Sequence, residues 1–106
     1  IYHCKGSDGD DAYDGVVLIR KVGETYVFQW VYGGTVTEGV GVRVGDGLAV
    51  GWRNIGETLL GSTLYRIEPG KLVGRWTAVR TNSKGNRLTG KVNGETLTLL
   101  KELEGK

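Results

Sequence analysis

Residues 22–34, with the sequence VGETYVFQWVYGG, decide the fold class. Two glycine-containing turns enclose a run of strand-forming residues over 25–32. Aromatic side chains occupy every second position of that run, at Tyr26, Phe28, Trp30 and Tyr32. Such alternation is typical of a β-strand, whose successive side chains point to opposite faces. The stretch therefore predicts a strand that carries a row of aromatic rings on one face.

The same pattern of short apolar runs separated by glycine continues on both sides of this stretch. It predicts strands near 1–6, 12–22, 25–32, 35–44, 48–53, 59–68 and 71–79, a polar loop at 81–86, and one or two strands over 87–92 and 95–103. The strand count is thus eight or nine. No segment has a helical stripe, and the short connections favour neighbouring antiparallel strands.

A meander of this many twisted strands tends to close, because closure removes exposed sheet edges. The composition fits: glycine accounts for 19 of the 106 residues and proline for one, which is typical of tight turns and kinked strands. We predict an all-β fold, a single antiparallel up-and-down meander of about eight strands. It forms one small closed or nearly closed barrel domain over residues 1–106.

Composition and charge exclude several classes of protein. The chain is 39% hydrophobic and 25% charged, which argues against disorder, and no apolar run approaches the ~20 residues of a membrane helix. Residues 1–50 carry four basic and seven acidic side chains, whereas 51–106 carry ten and five. The span 71–91 has six basic residues and no acid. Because the net charge is only +2, we expect a solvated strand face there and no nucleic-acid partner.

The positions of turn glycines and aromatic residues form a pattern along nearly the whole chain. It comprises Tyr2, Gly6, Asp8, Gly9, Tyr13, Gly15, Tyr26, Trp30, Gly39, Gly41, Leu48, Ala49, Val50, Gly51, Tyr65, Leu72, Gly74, Trp76, Gly94, Glu95 and Leu97. This pattern resembles a family of small exported bacterial proteins of calycin-like appearance, some of which are labelled "fibronectin-binding protein". The resemblance implies an up-and-down barrel, and a secreted or cell-surface location. It implies no catalytic residue, and its ligand stays open.

Catalytic motifs are absent from the sequence. The single histidine, His3, is adjacent to the single cysteine, Cys4, and neighbouring residues of a strand point to opposite faces, so the two cannot easily act as a nucleophile–base pair. No metalloprotease, CxxC, phosphate-loop or dinucleotide motif occurs. We therefore expect a protein that is not an enzyme and needs no cofactor.

An acidic segment near the start offers a calcium hypothesis. Asp8, Asp10 and Asp14 surround Gly9, and carboxylates in a glycine-containing loop are typical calcium ligands. The EF-hand spacing is not met. The alternative is a solvated hairpin turn, in which Asp and Gly are favoured for their backbone conformations.

The aromatic side chains are the candidates for ligand or interface contacts. They are Tyr26, Phe28, Trp30, Tyr32, Trp52 and Trp76. An outward row would be an adhesive surface for assembly, whereas an inward row would fill the barrel or line a cavity. Cys4 would then be either an intermolecular thiol or a buried one.

These observations give two interpretations of function. The first is an exported non-enzymatic barrel that binds a protein partner or assembles with copies of itself. The alternative is a calycin-like carrier that holds a small apolar or sugar-like ligand inside the barrel.

Overall fold

A closed ring of strands is the main feature of the computed structural model, which describes residues 1–82, 85–88 and 90–100. The strands in this part of the chain are β1 (Tyr2–Asp8), β2 (Asp11–Val22), β3 (Thr25–Tyr32), β4 (Thr35–Val44), β5 (Gly47–Asn54), β6 (Leu59–Glu68), β7 (Lys71–Asn82), β8 (Gly85–Leu88) and β9 (Asn93–Leu99). Each of β1 to β7 pairs antiparallel with the next, and β9 pairs with both β7 and β1. The predicted all-β, up-and-down barrel of eight strands is confirmed. No helix among the described residues is long and apolar enough to cross a membrane.

The last third of the chain differs from the prediction. Strand β7 is longer than the predicted 71–79 and has two partners along one edge: residues 71–76 pair with β9, and 79–82 pair with the short strand β8. The predicted strand at 87–92 is wrong in its bounds, because β8 ends at Leu88 and β9 begins at Asn93. Strand β8 is thus a hairpin arm outside the ring. Residues 101–103, also predicted as strand, lie outside the described residues.

Tight two-residue turns connect several neighbouring strands of the ring. Val22 pairs with Thr25, and the turn between them has Gly23 at φ 61°, where a type II′ turn requires glycine. Glu68 pairs with Lys71 across Pro69 and Gly70, the sequence of a type II turn. The acidic turn is shorter than predicted, because pairing extends to Asp8 and Asp11 and leaves only two residues between the strands.

Alternate residues of every strand of the ring point inward and make the core. The buried apolar residues are Cys4, Val17, Phe28, Trp30, Leu48, Val50, Tyr65, Leu72 and Leu97. The aromatic row of β3 faces this interior: Phe28 and Trp30 are buried, and Tyr26 and Tyr32 are half-buried. Phe28 stacks on Trp30 and on Tyr65, with ring centroids 5.1 and 5.9 Å apart. The row therefore does not form the outward surface that assembly through these rings would need.

Glycines on the inner face leave space for the aromatic rings. At Gly74 of β7, a Cβ atom would lie 2.5 Å from Cδ1 of Tyr65 and 2.9 Å from the carbonyl oxygen of Leu64. Gly51 of β5 points outward, and a Cβ atom there would meet no atom within 4 Å. The inner glycine is thus required by packing and the outer one is not.

These two glycines give a matched test of the packing. We expect Gly74→Ala to lower the free energy of unfolding by about 1–3 kcal/mol, because the added methyl group overpacks against the Tyr65 ring. We expect Gly51→Ala to be neutral or slightly stabilising, since alanine restricts the unfolded chain and clashes with nothing. Urea unfolding of both variants measures the difference. Equal effects at the two positions would contradict the proposed role of Gly74.

Candidate functional site

A cavity of ≈ 200 Å³ opens at the end of the barrel where β1 meets β2, β3 meets β4, and β5 meets β6. Its lining combines aromatic, polar and charged side chains. These are Asp8, Tyr13, Trp30, Tyr32, Thr35, Thr37, Trp52, Asn54, Glu57, Leu59, Thr63, Trp76, Arg80 and Glu95. Glu57 lies in the turn between β5 and β6. The strands place the other residues here because each inward position near this end of a strand faces the same space.

Four aromatic rings form a continuous arc around this cavity. Tyr32 stacks on Tyr13 with ring centroids 5.4 Å apart, and Tyr13 packs at 62° against Trp76 with ring centroids 6.3 Å apart. Trp76 in turn packs at 71° against Trp52, with centroids 5.9 Å apart. These are favourable geometries for aromatic pairs, so the arc is a packed wall contributed by β2, β3, β5 and β7.

A buried carboxylate lies on the cavity lining beside this arc. Glu95 of β9 is 8% exposed. Its Oε1 accepts a hydrogen bond from the Tyr13 hydroxyl at 2.6 Å, and its Oε2 accepts from Trp30 Nε1 at 3.1 Å and from the Tyr65 hydroxyl. Three neutral donors from β2, β3 and β6 thus hold one acid from β9. Among the described residues, Glu95 forms no ion pair with Lys, Arg or His.

The titration of the neighbouring groups follows from this arrangement. Burial, followed by the negative charge of Glu95, raises the pKa of Tyr13 and of Tyr65 well above the usual range. The same two causes, in the same order, raise the pKa of the Cys4 thiol. Both tyrosines therefore stay protonated at neutral pH and act as donors to the carboxylate.

Polar contacts fix the rest of the cavity wall. The hydroxyls of Tyr32 and Thr37 lie 3.2 Å apart, and Thr37 Oγ1 also donates to Asn54 Oδ1. Trp52 Nε1 donates to Thr63 Oγ1 at 3.0 Å. Trp76 differs, because its buried Nε1 has no hydrogen-bond partner in the described part of the chain. Among the described residues, the Trp76 ring is held by its aromatic contacts with Tyr13 and Trp52.

The charged side chains of the cavity are mostly acidic. Asp8, Glu57 and Glu95 contribute three carboxylates, and Arg80 is the one basic residue of the described lining. Arg80 Nη1 lies 4.0 Å from Glu57 Oε1, so the Arg80 guanidinium is paired with a carboxylate in the turn between β5 and β6. The cavity thus has an excess of negative charge, although the whole chain carries a net charge of +2.

The structure separates the predicted aromatic candidates into two groups. Trp30, Tyr32, Trp52 and Trp76 line the cavity. Phe28 fills the core beneath it. Tyr26 faces inward near the opposite end, where Lys21 Nζ lies 6.0 Å from its ring centroid. Of the six residues predicted as ligand or interface candidates, four therefore belong to one site.

The three aspartates of the calcium hypothesis do not come together. Asp8 faces the cavity, whereas Asp14 points outward and Asp14 Oδ1 lies 2.5 Å from His3 Nε2. Asp10 is in the two-residue turn. Among the described residues, no group of three or more His, Cys, Asp or Glu side chains is placed to hold a metal ion. The geometry favours the alternative, a hairpin turn.

Cys4 lies in the core with 0% of its surface exposed. Its neighbour His3 is on the outer face of β1, as the alternation of a strand predicts. A disulfide between folded chains would have to reach a sulfur that is covered on all sides. The placement fits the buried thiol that the sequence left as the alternative to an intermolecular one.

The most important acid of the site was not predicted as a site residue. In the sequence, Glu95 stands out only as one member of the glycine–aromatic pattern. The available signal was the alternation of β9, in which Leu97 is an inward residue and Glu95, two positions earlier, must share its face. The same alternation places Tyr13 on the inward face of β2, because it shares the face of the buried Val17. A carboxylate on an inward face requires hydrogen-bond donors. Two of the three donors to Glu95, Tyr13 and Trp30, lie on β2 and β3.

No match to a family model, to a curated protein or to a solved structure was found for this chain. The functional argument therefore rests on the geometry of the cavity.

Proposed function

We propose that this barrel is a binding protein that takes one compact organic molecule into the cavity at its open end. The observation that carries the proposal is the lining: an arc of four aromatic rings beside a buried carboxylate, with polar groups at fixed positions. Ligand sites in proteins commonly combine aromatic walls with a few oriented polar groups.

The size of the cavity limits the ligand. At ≈ 200 Å³ it is smaller than the ~300–1,000 Å³ of sites that hold drug-sized molecules. A compact ligand follows from this, which agrees with the small-ligand interpretation of the sequence. Hydrogen bonds hold two indole rings of the lining, Trp30 and Trp52, in fixed orientations. Such preorganisation reduces the free-energy cost of binding.

Binding can be tested by blocking the mouth of the cavity. A panel of small sugars, neutral alcohols, aromatic compounds and ammonium compounds is titrated while NMR chemical shifts of the indole N–H groups are followed. We expect at least one class to give a saturable change that Thr35→Phe abolishes, because Thr35 lines the opening at the start of β4. Thr25→Phe is the control, since Thr25 starts β3 at the opposite end. A panel with no saturable binder at millimolar concentration would contradict the proposal.

One observation favours self-assembly as a second candidate function. On the outer face of adjoining β4, β5 and β6, Val40, Val42 and Leu64 are each more than half exposed, with Ala49 and Gly51 between them. Two copies could pack with the Leu64 side chain of each over the hollow at Ala49 and Gly51 of the other. A contiguous apolar surface of this kind is typical of protein contacts.

Light scattering over a range of protein concentrations tests this second candidate. We expect association that Val42→Lys weakens and that reductant does not change, because Cys4 is buried. Val16→Lys, on the outer face of β2, is the control. A monomer at every concentration would exclude assembly through this surface and leave the cavity proposal unaffected.

A further inference from the structure

The buried carboxylate of the cavity, Glu95, is held by neutral side chains in the described part of the chain. Both oxygens of Glu95 are occupied by the neutral donors Tyr13, Trp30 and Tyr65, and among the described residues no basic side chain is paired with it. Buried carboxylates are usually paired with a cation or bound to a metal. A ligand that carried positive charge would supply the missing partner.

The aromatic arc favours the same sign of charge. The face of an indole or phenol ring has a negative potential, and a cation within about 6 Å of the ring centroid is attracted to it. Here Tyr13, Tyr32, Trp52 and Trp76 surround one small space. Acidic Asp8 at the opening adds to the attraction, whereas the charge of Glu57 is paired with Arg80. A neutral sugar would stack on the rings as well, but it would gain nothing from the carboxylates.

Resting on the proposed function, we infer that the ligand is a compact organic cation of the quaternary ammonium class. The geometry points to alkylated nitrogen because four aromatic rings form one continuous wall of the cavity, and because Glu95 already receives three hydrogen bonds. An alkylated ammonium brings charge without N–H groups that need further acceptors, and it is the type of cation that aromatic cages recognise.

The test compares choline with 3,3-dimethylbutan-1-ol, its neutral isostere, by calorimetric titration of the wild-type chain. Because the two compounds share size and shape, the ratio of their affinities reports the charge alone. We expect choline to bind at least about tenfold more tightly. Glu95→Gln should remove most of that ratio, because it removes the buried charge and retains an oxygen acceptor for the surrounding donors.

A second pair of variants keeps the test independent of folding defects at Glu95. Asp8 is exposed at the opening, whereas Asp10, two residues later, is not part of the lining. We expect Asp8→Asn to weaken choline binding by about threefold, from the loss of one charge at the edge of the site. Asp10→Asn should have no such effect. An equal effect of the two substitutions would overturn the inference, because it would mean that only the overall charge matters.

The outcomes separate this inference from the proposed function. If the neutral isostere binds as tightly as choline, or if only a sugar or another neutral compound binds, the cation inference is overturned and the cavity proposal stands. If no compound of the panel binds, both fail. Preferential binding of choline that depends on Glu95 and Asp8 supports both.

Discussion

The buried carboxylate of Glu95 is the contact on which the arrangement of the barrel interior depends. It lies on β9 and accepts hydrogen bonds from Tyr13 on β2, Trp30 on β3 and Tyr65 on β6. One acid thus connects four of the eight strands of the ring through its interior. Burying a carboxylate is unfavourable unless its oxygens are satisfied, so the three donors and the acid require one another. The same contact places a negative charge at the inner end of the cavity.

Aromatic packing extends from this contact in two directions. Phe28 stacks between Trp30 and Tyr65 and fills the middle of the barrel, while Tyr13 continues into the arc of rings around the cavity. Inward glycines such as Gly74 provide the space that large rings need in a narrow barrel. The part of the barrel below Glu95 is therefore a packed core, and the part above it is an open, acidic cavity. The fold and the candidate site are made by the same side chains.

The fold could be predicted from the sequence because its signals are local. The alternation in 25–32, the turn pairs and the absence of a helical stripe follow from residues near one another in the chain. Which way the aromatic row points could not be predicted, since period-two alternation defines two faces without saying which one is inside. The path after β7 was also missed, because β8 and β9 share one edge of β7, and nothing local in the sequence marks a shared edge.

The candidate site was predicted only in part, for a related reason. Trp30, Tyr32, Trp52 and Trp76 were found by residue type, and strand register brings them to one end of the barrel. Glu95 forms its contacts with residues 30 to 82 positions away in the chain, so its role depends on closure of the ring. The acidic segment around Asp8 suggested a calcium site because its charges are close in sequence. The alternating faces of the hairpin, however, separate Asp8 from Asp14.

The claim that Glu95 organises the interior is tested most directly by urea unfolding of Glu95→Leu, with Glu95→Gln as the near-isosteric control. Leucine would leave two hydroxyls and one indole N–H without an acceptor. Two of these donors, Trp30 and Tyr65, are buried. At about 1–3 kcal/mol for each unsatisfied buried donor, we expect a loss of at least about 2 kcal/mol of unfolding free energy. Glutamine retains an oxygen acceptor, and we expect a clearly smaller loss. A Glu95→Leu variant as stable as the wild type would contradict the account.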